Sequence, residues 1–234
     1  MSRDKKQLTK LLSFMATFDG GLYRRTNRHG NLGNATFIMN MKKTNLDYVE
    51  WVADTLNELV GTRITPRPDY NTDGCMRQPQ VRLESKSHPV LSTLHERIYI
   101  DGKKVIDPHM LKLLDGEALA IIFMADGSVS AAGDVNLNTK GFSYGDNMIL
   151  SKAIYGRLGI QTNINRNGQY FYLRVPKKNN AQFYAAVAAY VKPSFSYKLE
   201  RLAPWFKGDE IVWPSQECGE DSRKDCPHEE ISHA

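Results

Sequence analysis

The sequence predicts an α+β protein in two similar halves, a pseudo-twofold pair of α-β-β-α-β-β-α units whose antiparallel strands form curved sheets. Three observations predict it. Two apolar helices each close on Asp-Gly, at Asp19 and Asp126, 107 residues apart. Each is followed by the same order of strand pair, helix, strand pair and helix. Stretches of the two halves also match: FIMNMKK with VNLNTK, LNELVGTRI with YGRLGIQTNI, and VRLESK with LRVPKK. The expected divisions are 1–103, 104–207 and a tail at 208–234.

The first helix runs over Leu8 to Gly21, with Leu8, Leu11, Leu12 and Met15 at helical spacing. Tyr23, a Gly/Asn-rich turn carrying Arg24, Arg25, Arg28 and His29, and then Ala35 to Met41 read as strand, loop and strand. Thr44 or Asn45 caps a helix through about Val60. Leu46, Val49, Trp51, Val52, Leu56 and Leu59 form its buried side, opposite an acidic side of Asp47, Glu50, Asp54 and Glu58. Strands follow at Arg63 to Pro66 and Gln80 to Ser85, then a short helix after His88-Pro89 and a turn bearing Lys103 and Lys104.

The second half opens with the most apolar helix, Leu113 to Gly127. Leu114, Ala118, Ile121, Ile122 and Ala125 recur at helical spacing, and small residues among them admit a close neighbour. Strands within 128–139 turn at Gly133-Asp134. A helix spans Tyr144 to Leu158 with Gly159 as its stop. Thr162 to Asn165 and Tyr170 to Val175 form a hairpin about Asn167-Gly168, followed by a helix from Ala181 to Val191 and the segment YVKPSFSYKL.

Composition narrows the function. Hydrophobic residues make up 41% and mean hydropathy is −0.47, with no run of apolar residues long enough to span a bilayer. Three cysteines, Cys75, Cys218 and Cys226, are too few and scattered for a disulfide framework. The spacing of Cys218, Cys226, His228 and His233 matches no common zinc module. The start, MSRDKKQLTK, lacks the apolar stretch of a secretion signal, so a cytoplasmic or organelle-encoded protein is expected. The net charge of +5 is uneven. From Gly208 onward eight acidic residues face two basic ones, which leaves the body at +11 and predicts a polyanionic partner. The tail is acidic and aperiodic, the composition of a disordered segment.

A carboxylate at a helix C-terminus sits beside the negative end of the dipole and calls for a positive partner. Two such helices side by side would bring Asp19 and Asp126 together, a pair able to hold metal ions on a phosphodiester.

LAIIFMADG resembles the LAGLIDADG motif, and FMATFDGG resembles its degenerate partner. The chain is similar to two-motif, single-chain LAGLIDADG homing endonucleases, in particular the I-SceI branch. The likeness runs through KKVIDPHMLKLLDGEALAIIFMADG, LNTKGFSYGD and YVKPSFSYKL, over roughly residues 8 to 202. Phe14, Phe18 and Ile121 are bulkier than the pattern's usual residues on the packing face. The resemblance implies a monomer that makes a double-strand break in a long asymmetric DNA site and leaves 3′ overhangs. Asp19 and Asp126 would be catalytic metal ligands for Mg²⁺, with carbonyls near Phe18 and Ala125 completing the shell. Lys104, or its neighbour Lys103, and Lys198 would be the basic active-site residues, stabilising charge in the transition state and helping to activate water. Gln80, Asn138 and Lys140 are candidates for placing solvent.

The sheets would straddle the major groove of double-stranded DNA. Candidate contacts are Arg24, Arg25, Arg28, Lys42, Arg63, Arg67, Arg77, Arg82, Asn136, Asn138, Lys140, Asn163, Asn165, Arg166 and Arg174. Two alternatives share the fold: an intron maturase that binds RNA, and a DNA-binding protein that has lost cleavage. The retention of both aspartates argues against the second.

Overall fold

The computed structural model of the chain describes residues 4–26, 28–67 and 78–205. Helix α1 (Lys5–Phe14) begins where the Asp4 carboxylate accepts the Gln7 N–H at 2.7 Å, satisfying a donor the helix cannot. The helix continues as a wider, π-helical turn over Met15–Asp19, closed by the Gly20 N–H on the Met15 carbonyl at 2.7 Å. Turns of this kind absorb an extra residue. Here it lies where the bulky phenylalanines stand. Phe14 stays fully buried, while Phe18, within the wide turn, is half-buried and packs its ring on Phe14 and on Phe142 of the second half.

The first half then runs β1 (Gly21–Tyr23), β2 (Thr36–Lys42), α2 (Leu46–Asn57), β3 (Thr62–Arg67), β4 (Gln80–Ser85) and α3 (Pro89–Ile98). A short hairpin, β5 (Tyr99–Ile100) with β6 (Lys103–Lys104), crosses the division expected at 103 and 104. A single-turn helix α4 (Pro108–Leu111), with Asp107 as its cap, precedes the second half. There α5 (Gly116–Asp126), β7 (Gly127–Val129), β8 (Val135–Leu137), α6 (Tyr144–Leu158), β9 (Asn163–Asn167), β10 (Tyr170–Val175) and α7 (Asn180–Val187) repeat the order. Turns at Ala188–Tyr190 and Pro193–Phe195 lead to α8 (Ser196–Glu200).

The two four-stranded sheets have the same antiparallel topology, β1-β2-β4-β3 and β7-β8-β10-β9. Their ladders correct one expected match. Leu83 pairs with Met39 and Ile64, and Leu173 pairs with Leu137 and Ile164. VRLESK and LRVPKK are therefore two residues out of step: Arg82 corresponds to Tyr172, and Glu84 to Arg174. Because side chains alternate across a strand, this decides which residues share a position on the two open faces.

Two helix boundaries also differ from expectation. The second motif helix starts at Gly116 because Asp115 caps it, accepting the Ala118 N–H at 3.0 Å. The helix expected to reach Val191 ends at Val187 and tightens into a 3₁₀ turn. In α2 the buried side is Tyr48, Val49, Val52, Ala53, Thr55 and Leu56, with Leu46, Trp51 and Leu59 only half-buried.

Helix α5 is buried from Ala118 through Met124 and apolar all round, as a central helix must be. It packs on α1, on the wide turn after it and on α7. At the far end from the aspartates, the buried Lys10 ammonium reaches across to Asp115 at 2.7 Å and Glu117 at 2.8 Å. Gly116 lies against α7, and a Cβ there would meet the Ala186 carbonyl oxygen at 2.1 Å. Gly116→Ala is expected to cost about 1–3 kcal/mol by forcing α5 and α7 apart. Thermal melting checks this; an unchanged midpoint would show that the two helices have slack.

Candidate functional site

The two motif helices end side by side, near enough for the Asp126 charge to act on Asp19. Asp126 is exposed at the end of α5, and Asp19 is half-buried at the end of the wide turn. One Asp19 oxygen, Oδ2, accepts a hydrogen bond from the hydroxyl of Tyr48, a side chain with no solvent exposure. Burial pushes the Asp19 carboxyl up to about 7, and the Asp126 charge adds to the push. The Tyr48 bond and the Lys198 and Lys104 charges act against it. The Tyr48 hydroxyl is itself driven well above its ordinary range by burial and by Asp19.

The lysines answer the helix dipoles. Lys104 Nζ, on β6, donates to the Thr17 carbonyl at 3.2 Å and the Gly20 carbonyl at 2.5 Å. Lys198 Nζ, on α8, donates to the Phe123 and Met124 carbonyls at 2.9 and 2.8 Å, between the rings of Phe123 and Phe195. Each lysine thus closes the C-terminal end of one motif helix. Burial lowers both ammonium groups, Lys198 to about 8, while the two aspartates oppose the shift. Lys103 is exposed on the other side of β6.

Two clefts flank the aspartates. One, of about 190 Å³, is lined by Thr17, Phe18, Lys104, Asp126, Asn138 and Phe142 among others. The other, of about 500 Å³, is lined by Lys42, Asn45, Met124, Ser194 and Lys198 among others. Each combines the helix end and lysine of one half with the segment after the second strand of the other half. Of the candidate solvent-placing residues, Asn138 is at the site, its N–H and side-chain amide both on the Asp126 carbonyl, at 3.2 and 2.7 Å. Lys140 is exposed two residues further on, and Gln80 lies opposite Lys42 on the first sheet.

The sheets turn one face to the helices and one outward. The outward face of the first sheet carries Lys42, Arg63, Arg67 and Arg82, with Asn40, Thr65, Gln80 and Glu84. The exposed Arg25 joins this face, with Nη2 at 3.4 Å from Glu84. That of the second sheet carries Asn136, Asn138, Asn163, Asn165 and Arg174, with Tyr170 and Tyr172. Three candidates lie elsewhere. Arg24 is tied to Glu96 of α3 at 2.9 Å and to the Gly33 carbonyl at 2.9 Å. Arg166 pairs across the ladder with Phe171, on the opposite side from Asn165. Arg28 is exposed in the turn between β1 and β2. Arg77 lies outside the described residues.

Sequence reasoning missed Tyr48. Its signal was present, since Tyr48, Val52, Thr55 and Leu56 fall on one helical stripe. A hydroxyl on an apolar stripe needs a buried acceptor, and Asp19 is that acceptor.

Among curated proteins, the chain is 26% identical over 213 residues to Protein RecA of Mycolicibacterium flavescens, covering 84% of this chain and 46% of that protein. It is 29% identical over 136 residues to Uncharacterized protein MJ1098 of Methanocaldococcus jannaschii, covering 56% of this chain and 53% of that protein. The chain thus spans about half the length of the curated relatives it matches. Its fold is similar to that of the homing endonuclease I-WcaI bound to its DNA recognition sequence, with a TM-score of 0.68 at 21% identity over 83% of this chain and 86% of that one. It is also similar to the LAGLIDADG meganuclease I-AabMI bound to uncleaved DNA, with a TM-score of 0.54 at 10% identity over 84% and 89% of the two chains. At these identities the likeness is one of fold. The family model described as the LAGLIDADG DNA endonuclease family matches residues 19–183, from the first helix-end aspartate into α7, and with so much of the repeat inside that match the chain belongs to this family.

Proposed function

We propose that the chain is a site-specific homing endonuclease that cuts both strands of a long, asymmetric DNA duplex as a monomer, with Mg²⁺ as cofactor. One observation carries this reading. Two helix-end aspartates from different halves lie near enough for their charges to interact, each leads into the first strand of its own sheet, and each helix end is held by its own lysine. A double-strand cut breaks two phosphodiesters, and a pseudo-twofold site can offer one helix-end centre to each strand. By the family resemblance the cuts leave 3′ overhangs.

The donor set fits a hard divalent cation. Asp126 is exposed, Asp19 keeps Oδ1 beyond its Tyr48 bond, and both are oxygen ligands of the kind Mg²⁺ prefers. Mg²⁺ held there would supply Lewis-acid charge at the scissile phosphate and lower the pKa of water. The chain's own residues do the rest. Tyr48 orients Asp19. Lys104 and Lys198 hold the helix ends and place positive charge where charge develops on the phosphate. The cationic first sheet and the asparagine-rich second sheet lie along the groove and set the position of the cut.

Lys198→Met is expected to lower the cleavage rate about 10²-fold or more with DNA affinity changed by only a few-fold. Single-turnover cleavage and a binding titration check it; equal losses in both would make Lys198 a DNA contact only.

The whole reading is tested by incubating the full chain with a randomised duplex library, with Mg²⁺ and with a chelator. Discrete, Mg²⁺-dependent cutting at one long motif supports it. Absence of cutting, together with tight binding to a structured intron RNA, would favour a maturase.

A further inference from the structure

We infer that Glu84 reads an amine-bearing base, cytosine or adenine, at one position of the half-site that the first sheet faces. This rests on the proposed DNA-cleaving function and assigns one residue a role in its specificity.

Glu84 stands near the middle of the outward face. Val81, Leu83 and Ser85 point inward and are buried, so Gln80, Arg82 and Glu84 point out. Its ladder neighbours are Ile38 on β2 and Arg63 on β3. Three guanidinium groups surround its carboxylate: Arg25 at 3.4 Å, Arg82 at 3.5 Å and Arg63 at 3.8 Å. The Glu84 side chain is 23% exposed, whereas those of Arg25 and Arg63 are 79% and 73% exposed. Among the described residues, Glu84 is the one acid at an outward-pointing strand position of either four-stranded sheet.

An acid there works against binding a polyanion, because it repels phosphates and reduces the charge its arginines offer. It favours binding only where it meets hydrogen-bond donors. In the major groove those are the exocyclic amines, N4 of cytosine and N6 of adenine; guanine and thymine present acceptor oxygens at the corresponding places. A carboxylate facing O6 or O4 meets repulsion, so it selects by excluding as well as by attracting. The three arginines hold the carboxylate at the surface of the sheet, and N–H groups not facing Glu84 can reach neighbouring guanines or phosphates.

The second sheet reverses the polarity. The position matching Glu84 is Arg174, paired with Asp134 at 3.3 Å and suited to the acceptors of guanine. The two half-sites are therefore read by opposite chemistry at equivalent steps, which suits an asymmetric target.

The test is binding of the full chain to a randomised duplex library without divalent metal, comparing native protein, Glu84→Ala and Glu84→Arg, each checked for an unchanged melting midpoint. The native profile should contain a first-half position restricted to cytosine or adenine, which Glu84→Ala flattens about tenfold or more while other positions persist. Affinity for unrelated DNA should rise, with a steeper salt dependence, and Glu84→Arg should move the preference to guanine. An Ala profile identical to the native one, or a loss spread evenly over all positions, overturns the inference and leaves the nuclease reading intact. A native chain with no preferred duplex sequence overturns both.

Discussion

Asp126→Asn is expected to abolish cleavage of both strands, a loss of about 10³-fold or more, with DNA affinity unchanged or slightly improved. The side chain is exposed at the end of α5, so an isosteric amide disturbs no core. What it removes is one of the two charges available to hold a divalent cation against the phosphate. Binding should persist because, apart from Asn138 and Lys42 at the helix ends, the arginine and asparagine contacts are spread over the two sheets. Removing a negative charge next to a bound phosphate should, if anything, help binding at low salt. Strand-resolved single-turnover cleavage of a duplex carrying the selected site measures the loss. Cleavage that survives both Asp126→Asn and Asp19→Asn would mean that the chemistry happens elsewhere on the molecule.

Asp19 carries the second large effect, through pH. Its carboxyl is raised to about 7, chiefly by burial, so the ionised form that can hold a metal is lost below neutrality. The cleavage rate at subsaturating Mg²⁺ should fall close to tenfold per pH unit below about 7. A second, alkaline limb is expected near 8, where the buried Lys198 gives up its proton. The limbs belong to the coupled cluster rather than to single residues.

Stability runs the other way. A carboxyl whose folded pKa lies above its unfolded value of 3.8 binds its proton more tightly in the folded state. Its contribution to stability is therefore full below pH 3.8 and lost as pH rises towards 7. Asp19→Asn should leave metal-free stability unchanged near pH 3.5. At pH 8 it should raise stability by on the order of 1–3 kcal/mol, since Asp19 is only half-buried and solvent screens part of the cost. Melting curves of both proteins at the two pH values check this; parallel curves would show that burying Asp19 carries no cost.

Much of this molecule was legible in the sequence, for identifiable reasons. The motif helices announced themselves because a helix buried on every side, such as α5, must be apolar throughout and must stop at a residue that turns the chain. The strand order was readable because each half repeats it, and the helix Tyr144 to Leu158 because Gly159, left-handed in the structure, stops it. The site was half legible. Asp19, Asp126, Lys104 and Lys198 come together, but the lysines' carbonyl partners follow from the three-dimensional course of β6 and α8, which no local pattern encodes. The wide turn at Met15–Asp19 was hidden because π-helical geometry has no sequence signature of its own. Register was the weakest reading. VRLESK and LRVPKK share residue types at the wrong offset, and only the ladders show Glu84 opposite the place of Arg174.

The clasp at the other end of the motif helices has a consequence for how such halves choose one another. Lys10 belongs to the first half, and both of its acidic partners belong to the second. Two copies of the first half pressed together would bring lysine to lysine along the seam, for residues 6–10 contain no acid. Two copies of the second would crowd Asp115 and Glu117 against their own kind. Each half supplies at this seam the charge that the other lacks. Hybrids that splice either half to a foreign partner should assemble according to the charge they bring to that seam.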